Sequence, residues 1–584
     1  MTTDDTDRGG RPEVMTATRG GGPDLEQLLA SVPPGETPDL YGAFPRLDEA
    51  QVQVLSTAGE RRATSRGEVL ITEGEPDETF YVLLSGRVAA VEAYGTPEQR
   101  VIRVHGPGRF LGELGLLTGQ VAFLTWLVVD PGEVIAVPAD RLKQITLTDP
   151  AFGDQILRAF LIRRWLVLDQ GLGFRIVGSR YSPDTRRLRE FAARNRLPHR
   201  FVDLESDTAA ETLLRQLSVA PEDTPVVIWR DRVLRNPSNA ELAGLIGLRH
   251  DESKPEICDL VVVGGGPAGL AAAVYGASEG LGTQLLDGAA TGGQAGRTSR
   301  IENYLGFPAG ISGGELAERA IIQAEKFGAR LIVPAEVVAL ERDDGQYVLR
   351  LADGDRVAAR SVIIATGARY RRLPVPRLEE FEDTSIYYAA TPVEARNCVG
   401  DPVVVVGGGN SAGQAALFLA DHAAQVRTVV RERELGEYMS RYLADRIERD
   451  PRVEVLVHTE VRELQGGHGA LEAVVVEDLD TGERRVLPAR ELMVFIGADP
   501  CTDWLRDTVA VDADGYLLTG PAAIQVASEL DGGQARQPLP LETSAPGVFA
   551  AGDVRSGSVK RVASAVGEGA MAVRLVHEYL ATMR

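Results

Sequence analysis

One pattern occurs twice in the chain: an apolar run ends in a glycine turn and opens into an alanine-rich helix. The copies are DLVVVGGGPAGLAAAVYGASEG (259–280) and DPVVVVGGGNSAGQAALFLA (401–420), their turns about 140 residues apart. Valine runs of this kind predict buried parallel strands, and so tight a passage from strand to helix admits few folds. In the first copy Gly264, Gly266 and Gly269 form G-x-G-x-x-G, with Pro267 and Ala268 opening the helix. The first glycine makes the turn, the second lets the backbone approach a pyrophosphate, and the third lets helix and strand pack closely. The helix N-terminus then favours the anion. The next strand ends in Asp287, where a carboxylate meets ribose hydroxyls. The second copy has Gly407, Gly409 and Ala412, with Asn410 and Ser411 between them, and its next strand runs into Arg431 and Arg433 on either side of Glu432. Arginine there can pair with a 2′-phosphate, which predicts NADP (NADPH) rather than NAD. Two turns predict two dinucleotides, FAD and a nicotinamide cofactor, because a flavin must be reduced by something.

A chain of 584 residues holds about three or four domains. Its net charge of −22 argues against nucleic acid or an anionic membrane as the main partner. The start, MTTDDTDRGGRPEV, has no apolar core of a signal peptide, and no run is long enough to predict a membrane span. Cys258, Cys398 and Cys501 lie far apart, so neither a disulfide framework nor a metal site is expected, and the location expected is cytoplasmic. Residues 1–40 are expected to be a disordered tail. A run of short β-type segments follows within 41–170 and predicts a small β-barrel closed by a helical stretch. Segment 171–250 reads βαβαββα, a small α/β module. The remainder alternates β and α.

Further blocks accompany the two turns: GGQAGRTSRIENYLGFP (292–308), SVIIATGARYRRLPVP (361–376), MVFIGADP (493–500) and GVFAAGDVRSGSVKRVASAVGEGAMAV (547–573). With them, residues 258–584 resemble the thioredoxin reductase family of two-dinucleotide flavoproteins. The resemblance implies an FAD domain in two parts (256–380 and 498–584) around an NAD(P) domain (381–497), both Rossmann-like. It implies that Gly293, Gln294 and Asn303 lie by the flavin and that Thr366 and Gly367 form a crossover between domains. Gly552 and Asp553 would meet the ribityl–phosphate part, and Arg561 and Val562 the isoalloxazine edge. The implied activity is passage of a hydride from NAD(P)H to FAD and then to an external acceptor, by family default a disulfide such as thioredoxin.

The chain departs from that family at its redox pair. Thioredoxin reductases keep C-x-x-C just before the second turn, where AATP places Ala389 and Pro392. Neither can form or break a disulfide, so no catalytic side chain is expected and the flavin is the redox centre. Lys560 and Arg561 with VGEG are closer to ferredoxin–NADP reductases, which share the fold. A quinone or O₂ is a further acceptor class, and a non-enzymatic flavin- or nucleotide-bound sensor is the alternative of another kind.

The N-terminal modules carry resemblances too. GRFLGELGLLTGQ (108–120) makes the barrel similar to cyclic-nucleotide-binding domains, in which Gly112 and Glu113 would hold the ribose and cyclic phosphate. The arginine expected about ten residues later is missing, since none lies between Arg109 and Arg141, so the pocket is degenerate and tight cAMP binding is not expected. The α/β module resembles a thioredoxin or glutaredoxin fold, with Ser179 and Ser182 where C-x-x-C would stand and Pro225 at the cis-proline position. The whole is read as a multidomain α/β fusion, and both families imply a homodimer.

Overall fold

The computed structural model describes residues 15–16 and 25–583, apart from 218, 231, 249–256, 299, 344, 383, 389, 391–394, 396–397, 468–469, 506–507 and 525–535. The chain divides into two compact units, Met1–Ser253 with Ile332–Pro334, and Lys254–Leu331 with Ala335–Arg584. Among the described residues no helix is long and apolar enough to cross a membrane.

In the first unit Met15–Thr16 pairs with Arg232 and Val233, and α1 (Leu25–Ser31) and α2 (Glu49–Ala58) follow. Seven strands follow: β1 (Glu60–Thr64), β2 (Val69–Ile71), β3 (Thr79–Leu83), β4 (Arg87–Glu92), β5 (Arg100–His105), β6 (Thr125–Asp130) and β7 (Gly132–Pro138). Helices α3 (Ala139–Thr148) and α4 (Pro150–Asp169) close this part. The strands form two antiparallel sheets, β1-β7-β3 and β2-β6-β4-β5, with apolar inner faces. The α/β module has β8 (Phe174–Gly178), α5 (Pro183–Arg194), β9 (His199–Asp203), α6 (Thr208–Gln216), β10 (Val226–Trp229), β11 (Arg232–Arg235) and α7 (Asn239–Leu245). In its sheet β9 runs parallel to β8, whereas β10 and β11 are antiparallel additions on the other side.

The tail expected to be disordered over 1–40 is ordered from Leu25. Leu25, Leu28, Leu29 and Val32 recur at helical spacing and pack on Ala89, Val91, Val104, Leu127 and Val129, the outer face of the larger barrel sheet. The surrounding Gly, Pro and Asp hid this stripe. The earlier part of the tail, apart from Met15–Thr16, lies outside the described residues, as do Ala389 and Pro392.

In the second unit β12 (Cys258–Val263), α8 (Pro267–Ser278) and β13 (Thr283–Leu286) form the first βαβ passage, followed by α9 (Gly313–Lys326). Then come β14 (Val337–Asp343), β15 (Gln346–Leu351), β16 (Arg356–Ile364) and β17 (Ala368–Tyr370). The second passage is β18 (Ile386–Tyr387), β19 (Pro402–Val406), α10 (Asn410–Leu419), β20 (Gln425–Val429), α11 (Arg441–Arg449) and β21 (Val453–Leu456). The chain continues through β22 (Thr459–Gly467), β23 (Ala470–Asp478), β24 (Arg484–Pro488), β25 (Glu491–Val494), β26 (Ala498–Pro500), β27 (Val548–Ala550) and α12 (Val562–Thr582). One sheet has the parallel core β13-β12-β16-β27, in which β27 arrives from the far end of the sequence. The other is parallel in the order β18-β25-β19-β20-β21. The chain passes between them at the antiparallel pair β17–β26, where Arg371 pairs with Asp499 at 2.8 Å.

Helices α8 and α12 cross on the first sheet with almost no gap: a Cβ at Gly569 would lie 2.1 Å from the Ala268 carbonyl oxygen, whereas one at Gly567 would meet nothing within 4 Å. Gly569→Ala is therefore expected to destabilise the fold by about 1–3 kcal/mol through overpacking. Gly567→Ala in the same helix should stabilise it by up to about 1 kcal/mol. Thermal unfolding of the two variants checks the contrast, and equal effects would refute it.

Candidate functional site

At the end of β12 the chain turns through Gly264 at φ 105°, and a Cβ there would lie 2.4 Å from the Ala365 oxygen. A Cβ at Gly269 would sit 1.8 Å from the Gly264 oxygen, so α8 rests directly on the turn. Gly266 is different: a side chain there would meet only the Gly293 Cα, at 3.9 Å. The packed positions make the turn, and the open one leaves a cradle at the helix N-terminus that fits a pyrophosphate. Asp287 closes one side. Its carboxylate accepts from the Gly265 amide at 2.7 Å and from those of Ala289 and Ala290 at 2.9 Å each. It is thus fixed toward the turn with lone pairs left for hydroxyl donors.

The other residues expected near the flavin come from separate parts of the second unit. Gly293, at φ 55°, backs onto Gly266, with its Cβ position 2.9 Å from the Gly266 Cα. Gln294 donates to the Ala368 carbonyl, and Thr366 Oγ1 donates to the Cys501 carbonyl at 2.9 Å. Gly367, at φ 67°, faces open space. Gly552, at φ 80°, packs on Ala268, and its amide donates to Glu568 Oε2 at 2.7 Å. Glu568 also pairs with Arg555 at 2.5 Å. Sequence reasoning missed this carboxylate, although it stands one residue before Gly569 in the quoted block. Burial raises the Asp553 carboxyl above its ordinary value against the pull of Lys560, and the Lys560 ammonium donates to the Tyr516 hydroxyl at 2.8 Å. Asn303 and Arg561 are exposed and Val562 is half-buried.

The second turn repeats the first. A Cβ at Gly407 (φ 137°) would lie 2.3 Å from the Phe495 oxygen, Ala412 is fully buried, and Gly409 has nothing within 4 Å. Asn410 Oδ1 accepts from the Ser440 amide at 2.7 Å and its hydroxyl at 2.6 Å, and Ser411 is exposed. The charges differ from expectation. Arg433 is not brought to the turn: it forms a two-pronged pair with Asp480 at 2.7 and 3.1 Å. The Arg431 side chain is 72% exposed and lies 3.7 Å from Glu432. Glu432 itself faces the turn, with Oε2 2.6 Å from the Cβ position of Gly408. Asp287 Oδ2 stands 3.2 Å from the Cβ position of Gly265, the matching middle glycine of the first turn. Each turn thus has a carboxylate at the same place.

The three cysteines form no disulfide. Cys258 and Cys398 are buried. Burial pushes the half-buried Cys501 thiol up, opposed by Arg369, so it is no ready thiolate.

In the barrel, Gly112 has φ 106° and its carbonyl accepts from Arg163 Nη1 at 2.7 Å. Arg163, fully buried on α4, also donates to Ala43 O at 2.8 Å and Phe110 O at 3.2 Å, and burial draws it down to about 9. The Glu113 side chain is buried inside the barrel with Oε1 unpartnered. At the place of the missing arginine, Phe123 stacks on Trp229 of the α/β module, ring centroids 5.4 Å apart. The Val121 amide donates to Ile246 O at 3.3 Å. Trp229 Nε1 donates to Glu73 Oε1 at 2.9 Å. The segment that would wrap a phosphate is therefore docked against the neighbouring module.

Two glycine cradles, each with its carboxylate, on two parallel sheets joined by a short antiparallel crossover define a reductase that binds two dinucleotides. Residues 258–569 match the pyridine nucleotide-disulphide oxidoreductase model, and the chain belongs to that family. It is an FAD-dependent pyridine-nucleotide oxidoreductase of the thioredoxin-reductase-like kind. Residues 61–149 match the cyclic nucleotide-binding domain. Among curated relatives, a "34.2 kDa protein in rubredoxin operon" of Clostridium pasteurianum is 32% identical over 55% of this chain and 97% of its own length. The thioredoxin reductase of Streptomyces clavuligerus is 32% identical over 56% and 95%. The solved thioredoxin reductase of Lactococcus lactis superposes with a TM-score of 0.50 at 27% identity, over 56% of this chain and 99% of that one.

Burial raises Glu73 to about 7 from an ordinary 4.5. The folded state then holds this proton more tightly than the unfolded chain, so the Glu73 contribution to stability falls as pH rises between those two values. Asp77, raised to about 7 by burial, acts in the same direction. Glu73→Gln is expected to reduce the fall in thermal midpoint from about pH 5 to about pH 8. An unchanged slope would show that Glu73 is not the titrating group.

Proposed function

We propose that this oxidoreductase takes electrons from NADH and delivers them directly to an external acceptor, with no dithiol of its own in the path. When bound, FAD supplies hydride acceptance from a nicotinamide and onward release of electrons. The chain's contribution is to hold and orient: the cradles at Gly266 and Gly409 receive pyrophosphates, and Asp287 and Glu432 accept from ribose hydroxyls. The observation that carries the reading is two intact cradles in a chain whose three cysteines form no disulfide and are mostly buried.

The preference for NADH rests on Glu432. A 2′-phosphate at the second turn would stand beside its carboxylate, while Arg433 is engaged by Asp480. This reverses the NADP preference expected from Arg431 and Arg433. A disulfide protein is the acceptor class suggested by the thioredoxin reductases among the relatives. The α/β module supports a docking role for such a partner. Its βαβαββα order favours a thioredoxin-like reading, and Ser182 caps α5 at the second position of the C-x-x-C pattern. The barrel, with its phosphate segment closed by Trp229, should show no micromolar affinity for cAMP by calorimetry; such affinity would refute that reading.

Stopped-flow reduction tests the rest. NADH should bleach the flavin faster than NADPH, and Glu432→Ala should shrink the preference about tenfold or more by removing a like-charge contact. Turnover should then appear with one acceptor among disulfide proteins, ferredoxin, quinones and O₂. Failure of both nucleotides to bleach the flavin would sink the enzyme reading, and faster reduction by NADPH would sink the NADH assignment.

A further inference from the structure

Helix α4 is apolar on two sides. Phe152, Ile156, Phe160 and Val167 are buried and seat it on the barrel. A second stripe runs along the other side: Leu157, Leu161, Trp165 and Leu168, at intervals of four, four and three residues. Its leucines are half-buried and Trp165 is 56% exposed, whereas the other three tryptophans, Trp126, Trp229 and Trp504, are buried or half-buried. One apolar stripe is enough to hold a helix on its own domain, and a helix apolar on both sides is covered on both. An indole left in water forgoes one of the largest burials any side chain offers.

The charges beside the stripe indicate what covers it. Asp154, Arg158 and Asp169 lie along one flank of it and are exposed, and among the described residues Arg158 and Asp169 form no ion pair. Stripe and flank are complementary to themselves when a second α4 runs antiparallel. With the two-fold axis between residues 163 and 164, the second copy's Leu168 falls between Leu157 and Leu161, and its Trp165 falls beside Leu161. The same axis brings Arg158 of each copy level with Asp169 of the other, on one flank of the pair. A two-fold interface has this reciprocity, each residue being met by the one it meets. A parallel pair puts the two charged flanks on opposite sides of the interface, where Arg158 and Asp169 find no partner.

We propose that the outer face of α4 is a self-association surface on which a second copy of this chain lays its own α4 antiparallel, the leucine–tryptophan stripes interleaved and an Arg158–Asp169 pair at each end. The stripe covers about three turns, a small interface beside those of stable complexes, so association in the micromolar range is expected. The inference uses neither the nicotinamide nor the acceptor assignment.

Sedimentation velocity on the full-length flavin-loaded protein should show concentration-dependent pairing. Trp165→Ala, which removes the central aromatic anchor, and Arg158→Glu, which sets like charges together, should each weaken it about tenfold. Adding Asp169→Arg to Arg158→Glu should recover most of that loss, because the exchange restores the pair. Cross-linking gives the direction independently. Leu157→Cys and Leu168→Cys in one chain should let a short bismaleimide join two chains, and neither alone should, since antiparallel helices hold like positions apart. A protein that stays monomeric through the micromolar range, association untouched by Trp165→Ala and Arg158→Glu, or Leu157→Cys linking as readily alone as with Leu168→Cys would overturn the proposal.

Discussion

Backbone touching backbone at the glycine turns is the constraint on which the second unit depends. At Gly264, Gly269, Gly407 and Gly569 a Cβ would fall between 1.8 and 2.4 Å from a carbonyl oxygen. These contacts bring a helix against the end of a strand so that its first amides converge on one spot. That spot is left empty at Gly266 and Gly409, where a side chain would have room. Close packing beside open space is what turns a strand-to-helix joint into an anion cradle. Gly569 extends the arrangement to the end of the chain, because α12 can lie on α8 only where both helices lack bulk.

The two turns also show one electrostatic plan with different surroundings. In each, a carboxylate stands beside the middle glycine, Asp287 at Gly265 and Glu432 at Gly408. Asp287 is held by three backbone amides. Glu432 has arginines on both sides, but one reaches outward and the other belongs to Asp480. Counting charges along RER suggests a site for phosphate; placing them suggests a site for hydroxyls.

Most strands, turns and helices of both units were legible because valine runs, glycine spacing and helical stripes are local signals. What stayed hidden depends on partners far apart in sequence. Glu568 beside Gly552, Asp480 beside Arg433 and Arg163 beneath Gly112 are polar contacts whose partners no periodicity reveals. Helix α1 was obscured by the turn-forming residues around its apolar stripe. Phe123 could be read only as an arginine that was missing. That it is an aromatic anchor for Trp229 follows from the fold alone.

That stack bears on where the chain can be divided. A boundary near residue 170 looks natural in the sequence, since a barrel ends and an α/β module begins. Yet one apolar core runs continuously from Leu70 in the barrel through Phe123 to Trp229 and Ile246 in the module. Cutting there would uncover an aromatic face on each half and strip Glu73 of its indole donor. Barrel and module therefore form a single packed piece, in which the module could not be exchanged for another without rebuilding the barrel wall it completes.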